Sequence, residues 1–152
     1  MNKYIWASIL GGLFAGTLDI GVACALSGVG PDVILHFLAA GLIGRDASFQ
    51  GGVPTMALGL AIQEFIAIVA AGIFVFASTK LPMLLERPVA WGVVLGAVTN
   101  VILTFVVQPL SLVARKHPIA SWTPLLENLA ANMILFGPPI ALIAGRILRP
   151  RA

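Results

Sequence analysis

Two carboxylates, Asp19 and Glu64, each lie inside a long apolar run of the 152-residue chain, and two carboxamides, Asn100 and Asn132, lie inside two more. Their surroundings make them informative. Holding Asp at the centre of a lipid-embedded helix costs about 2.5–3.5 kcal/mol on insertion scales, and intramembrane acids accordingly mark ion pathways and proton relays. Polar side chains in lipid also serve a plainer purpose, hydrogen-bonding one helix to the next. The spacing of small neighbours says which way the polar groups point. Gly12, Gly16 and Asp19 follow at i, i+4, i+7, as do Ala57, Ala61 and Glu64, while Gly92, Gly96 and Asn100 follow at i, i+4, i+8. Residues at those intervals share one helix face. Small residues let helices approach closely in lipid, so each polar group is expected on a packed face. The expectation is one buried polar cluster of Asp19, Glu64, Asn100 and Asn132. It would act as a protonation or cation site, as glue between helices, or, for one or both acids, as a contact with a partner protein.

Outside the apolar runs, Asp32 and His36 stand four apart, close enough to touch on one helix face. They are expected as an interfacial pair, with a metal half-site or a pH-sensitive element as the sharper alternatives. Glu127 and Asn128 fall near a helix start, where an acid suits the positive end of the dipole. Cys24, the single cysteine, allows neither an intramolecular disulfide nor a multi-cysteine metal site. No catalytic residue is expected, because the chain has no nucleophile elbow, no phosphate-binding glycine loop and no HExxH. No metal and no cofactor is expected either.

The element that must position these groups is a helix in a membrane. Apolar types make up 59% of the residues, charged types 10%, and the mean hydropathy is +1.03. Soluble domains sit near about 45–50% apolar and about 25% charged. A soluble domain of about 150 residues buries only about 70% of its chain surface, too little to hide this much apolar area. Crossing the hydrocarbon takes roughly 20 helical residues, and backbone groups in lipid must be satisfied within the segment. Four segments qualify, at about 4–26, 53–78, 89–110 and 123–147. The fold class is therefore all-α: a polytopic membrane protein, one four-transmembrane-helix bundle over 1–152. The first segment is longer than a signal-peptide core and contains Asp19, so it reads as the first span. At 1.5 Å per residue Asp19 lies roughly 22 Å into its span, Glu64 and Asn100 fall near the middle of theirs, and Asn132 lies about nine residues in from the outer side, so all four can meet at the middle or in the outer half of the bilayer.

Pro31 to Gly44, between spans one and two, opens like a helix, with Pro in its first turn and Asp32 near the positive end. It is too short to span. It reads as an additional interfacial or re-entrant helix, with the interfacial placement preferred. Gly137-Pro138-Pro139 is expected to kink or break the fourth span.

Lysine and arginine set orientation. Lys3, Lys80, Arg87, Arg146, Arg149 and Arg151 fall on the side of the termini, against Arg45, Arg115 and Lys116 on the other. The positive-inside rule then puts both termini in the cytoplasm. Trp6, Trp91 and Trp122 lie near span ends, as interface anchors do. No basic patch is interleaved with aromatics, which argues against nucleic acid as a partner. The expected partners are the lipid bilayer and a homo-oligomer or larger membrane complex.

Leu13-Phe14-Ala15-Gly16-Thr17-Leu18-Asp19-Ile20-Gly21, the run from Ile34 through Gly44, and Phe49-Gln50-Gly51-Gly52 together resemble small uncharacterised bacterial inner-membrane proteins of the YagU-like kind. Gln108-Pro109-Leu110-Ser111 and Glu127-Asn128-Leu129-Ala130 fit the same pattern. The resemblance implies a four-span inner-membrane protein linked to acid tolerance, and it assigns no role to any residue. The functional expectation is a non-catalytic accessory or oligomer-forming subunit. The alternative is a small proton- or cation-coupled transporter or pH-responsive sensor built on the buried carboxylates.

Overall fold

Four long apolar helices carry the chain back and forth, with three short ones at their ends. The computed structural model describes residues 2–113 and 122–149. Arg115, Lys116 and Arg151, which entered the charge comparison, lie outside the described residues. The long helices are α1 (Lys3–Ser27), α4 (Gly52–Lys80), α6 (Pro88–Leu110) and α7 (Trp122–Leu148), each long and apolar enough to cross a membrane. The short ones are α2 (Pro31–Ile43), α3 (Arg45–Gln50) and α5 (Met83–Glu86). The chain is thus an all-α, polytopic membrane bundle, and its spans agree with those expected to within a few residues.

Local chemistry sets the boundaries. The Asn2 side chain caps α1 by accepting from the Tyr4 N–H, and the Gly28 N–H closes it on the Cys24 carbonyl. Proline opens α2 and α6, where its missing N–H is not needed. Gly44 (φ 84°) and Gly52 (φ 58°) make the two corners that isolate α3 from its neighbours, in a backbone region that side chains rarely adopt.

Gly137-Pro138-Pro139, expected to kink or break the fourth span, does not break it. The helix runs on through a π-helical turn over Asn132–Phe136, where the Gly137 N–H reaches back to the Asn132 carbonyl. Proline offers no N–H to the carbonyl four residues back, and its ring crowds that carbonyl. Widening the preceding turn moves the carbonyl aside. The same arrangement precedes Pro109, with a π turn over Leu103–Val107 closed by the Gln108 N–H on the Leu103 carbonyl.

α1 and α7 form the central pair, with α4 packed on α1 and α6 packed on α7. α1 and α4 are antiparallel: Ser8 faces Gly72, Gly12 lies against Ile68, and Gly16 lies against Glu64. A Cβ on Gly12 would stand 2.5 Å from the Ile68 Cα. α6 and α7 meet backbone to backbone. A Cβ on Gly92 would stand 2.5 Å from the Pro138 Cα, one on Gly96 would overlap the Asn132 carbonyl, and one on Gly137 would overlap the Gly92 carbonyl. The buried core is built largely from alanine, with Phe74, Phe136 and Ile140 as its large members. Lipid tails are as apolar as leucine, so close packing, not hydrophobicity, holds such helices together.

The small-residue stripe expected on the second span is corrected. Ala57 and Ala61 are exposed, and the packed face of α4 runs instead through Gly59, Gln63, Ala67, Ala71, Phe74 and Ser78. Gly59 decides it, because the Leu35 carbonyl of α2 rests where its Cβ would be. α2 therefore packs on the first two turns of α4. Its other end reaches the turn that follows α6, where the Gly41 carbonyl accepts the Leu112 N–H at 2.9 Å.

Candidate functional site

The polar groups of the first two spans are used across the α1–α4 seam. Gln63 Nε2 donates to Asp19 Oδ2 at 2.7 Å, and Thr17 Oγ1 donates to Glu64 Oε1 at 3.0 Å. Thr17 and Asp19 are two residues apart, roughly 200° around the helix, so the bonds lie on opposite flanks of the seam. Glu64 Oε2 is buried without a hydrogen-bond partner. It rests against Gly16, where a Cβ would stand 2.6 Å away, so the absence of a side chain there makes room for the carboxyl group. Gln63 and Thr17 were not anticipated. The available signal was an uncharged hydrogen-bonding side chain within two residues of each acid in an apolar span.

Asn132 and Asn100 are both buried at the α6–α7 contact. Asn132 lies in the π turn, with its carbonyl under Gly96, and its Nδ2 donates to the Asn128 carbonyl at 3.0 Å. Asn100 is one turn beyond Gly96 on the same helix. Gly11 rests on Ile140, 3.6 Å from a Cβ to the Ile140 Cα. Eight residues along the two antiparallel helices from that contact bring Asp19 level with Asn132. The four predicted residues thus fall within about two helical turns of one another along the bundle. Among the described residues none of the four bonds to another, and three of them take a different partner each. Glu127 and Asn128 are exposed, and Cys24 is half-buried.

A double-mutant cycle measures what the seam contributes. Gln63→Leu leaves Asp19 without its donor and should cost about 1–3 kcal/mol. The coupling between Asp19→Val and Gln63→Leu should come to about 0.6–1.7 kcal/mol, the range for interhelical bonds in membranes. Reversible unfolding in mixed micelles reads it, and a coupling of zero would remove the seam's role.

The second constellation lies around α2. Asp32 and His36 do not pair. Asp32 is exposed with its carboxylate folded back over Gly30, while His36 Nδ1 lies 3.2 Å from Thr55 Oγ1 on α4. The Thr55 hydroxyl also points at two carbonyls, Ser48 at 2.7 Å and Gly52 at 2.8 Å. Carbonyls only accept, so the single hydroxyl proton goes to them and Thr55 Oγ1 accepts from Nδ1–H. That assigns the Nδ1–H tautomer and leaves Nε2 as the open nitrogen. Ser48, fully buried, donates to the His36 carbonyl at 2.6 Å. Phe49 packs its ring 5.1 Å from the imidazole, and the Arg45 guanidinium covers both Phe37 and Phe49. Long-range packing on α4 thus outweighs the local i, i+4 relation.

Among the described residues no three His, Cys, Asp or Glu side chains are grouped to hold a metal ion. The best-formed hollows are open grooves on the outside of the bundle. One runs along α1 past Phe14, Thr17, Gly21 and Ala25, and the other sits at the α5–α6 corner. Fold and site together define a multi-pass helical membrane protein in which polar groups of the first two spans bind helix to helix. No protein-family model, curated protein or solved structure matches the chain.

Proposed function

We propose that the protein is a non-catalytic membrane subunit that assembles with copies of itself in a bacterial inner membrane, with both termini in the cytoplasm. The observation that carries this reading is where the small and polar residues go. Asp19, Gln63, Thr17 and Glu64 bond to one another across the α1–α4 seam, while Gly21, Ala57 and Ala61 are left on the outer surface. A Cβ on Gly21 would meet nothing within 4 Å. Small residues exposed to lipid allow a second helix to approach closely. The orientation is supported by six Lys and Arg on the side of the termini against three on the other.

The test is the mass of the purified full chain in nanodiscs. Wild type is expected as a multimer, and Gly21→Leu combined with Ala61→Leu as a folded monomer. A wild-type monomer at every concentration sinks this reading.

A second reading, a proton- or cation-coupled transporter or pH-responsive sensor, is favoured by the unpartnered Glu64 Oε2. It requires flux into proteoliposomes that Glu64→Gln abolishes while the melting temperature is retained.

A further inference from the structure

The two ends of the bundle differ in charge. Lys3, Lys80, Arg87, Arg146 and Arg149 stand exposed at the end formed by the start of α1, the α4–α6 connection and the end of α7, with Glu86 as the one acid there among the described residues. Among the described residues the opposite end carries Asp32, Asp46 and Glu127 against Arg45. At the basic end, Pro88 lies against Gly145, 3.9 Å from a Cβ there. That contact places Arg87 and Arg146, the next residues along each helix, at one corner of the bundle. From the same corner an open groove runs down the outside of α6, lined by Met83, Glu86, Arg87, Ala90, Trp91 and Val94. Its mouth is charged, its floor is apolar, and Trp91 sits between the two. Tryptophan favours that position at the level of lipid headgroups.

We propose that this corner is a binding site for one anionic phospholipid. Its phosphate lies against Arg87 and Arg146, and an acyl chain lies along Ala90 and Val94. Charge complementarity selects the headgroup, since five cations face one carboxylate. Continuity with the lipid-facing surface of α6 selects a lipid over a free anion. Glu86 opposes any anion at the mouth, and its removal should tighten binding. The proposal does not depend on the assembly state of the chain.

The experiment titrates the purified full chain with phosphatidylglycerol, with phosphatidylcholine and phosphatidylethanolamine of the same acyl chains, and with inorganic phosphate, and counts bound lipid by native mass spectrometry. Two arginines at the strength typical of an anionic surface give about a thirtyfold preference for phosphatidylglycerol over phosphatidylcholine. R87Q/R146Q should remove that preference, K3Q/K80Q should keep most of it, and Glu86→Gln should increase it. Val94→Trp, which fills the groove with the charges intact, should weaken phosphatidylglycerol binding. All these positions except Lys3 and Lys80 border the proposed lipid directly, and all are exposed, so each variant should melt as wild type does in phosphatidylcholine. Equal binding of phosphatidylglycerol and phosphatidylcholine, or a preference that survives in R87Q/R146Q, overturns the site. Displacement by inorganic phosphate at similar concentration, a stronger response to phosphatidylethanolamine, or indifference to Val94→Trp overturns it as an anionic-lipid groove.

Discussion

Gly96→Leu is expected to prevent α6 from packing on α7, and Gly96→Ala alone to lower stability by about 3 kcal/mol, the upper end of the cost of overpacking. The reason is what the new Cβ would meet. At Gly96 it falls on the Asn132 carbonyl, with the Met133 Cα 2.9 Å away, so backbone rather than a flexible side chain would have to move. That carbonyl is held in the π turn by the Gly137 N–H. Gly137 itself lies under the Gly92 carbonyl, so the displacement cannot be absorbed one turn further on. Gly72→Ala is the matched control. A Cβ there meets only the Ser8 hydroxyl at 3.9 Å, and replacing a mid-helix glycine by alanine should leave stability unchanged or raise it by up to about 1 kcal/mol. Unfolding in mixed micelles compares the two. If Gly96→Ala were as stable as Gly72→Ala, the two helices would not be in backbone contact.

Gly59→Val should release α2 while the four spans stay assembled. Its side chain would overlap the Leu35 carbonyl, a fixed part of the α2 backbone. Losing that contact also separates His36 from Thr55. The core formed by α1, α4 and α7 lies elsewhere, around Ala67, Phe74, Phe136 and Ile140. Ala39, fully buried beside α4, reports the state of α2. In a Cys24→Ser background, Ala39→Cys should resist maleimide until Gly59→Val is added. Labelling should then speed up about tenfold or more, because a steric cost above about 1.4 kcal/mol shifts a local opening equilibrium by that factor. Continued protection of Ala39→Cys would show that α2 is held by something other than the Gly59 contact.

Much of the fold was legible in the sequence, because lipid leaves few options. A long apolar stretch without internal water must be a helix, and α1, α4, α6 and α7 lie where the apolar runs do. What was hidden depended on neighbours. α4 carries small residues on two faces, one through Ala57 and Ala61 and one through Gly59, Ala67 and Ala71. Nothing within α4 says which is buried; the α2 carbonyl over Gly59 does. α3 was hidden because six residues between two glycine corners leave no periodicity to read. Gly12, Gly16 and Asp19 were placed on the packed face of α1, and α4 does lie there. The partners of the acids were missed because the search followed charge, whereas lipid-buried acids bonded here to an amide and a hydroxyl. His36 was read with Asp32 by local spacing, and its actual partner lies 19 residues away. The prolines of α7 were read as a kink or a break; that the helix continues was hidden because sequence spacing does not reveal that a preceding turn can widen.

The bond from the Leu112 N–H to the Gly41 carbonyl bears on how the molecule is made. α2 can settle on α4 as soon as residue 59 has entered the bilayer. Its second anchor does not exist until the whole of α6 has emerged. At about 5–20 residues per second, residue 112 follows residue 41 by roughly 4–14 s of synthesis. During that interval the amino-terminal half is a hairpin of two spans with α2 fastened at one end only. Arrival of the third span then fastens the other end of α2, and the two halves of the bundle become one structure only when the fourth span packs on the first.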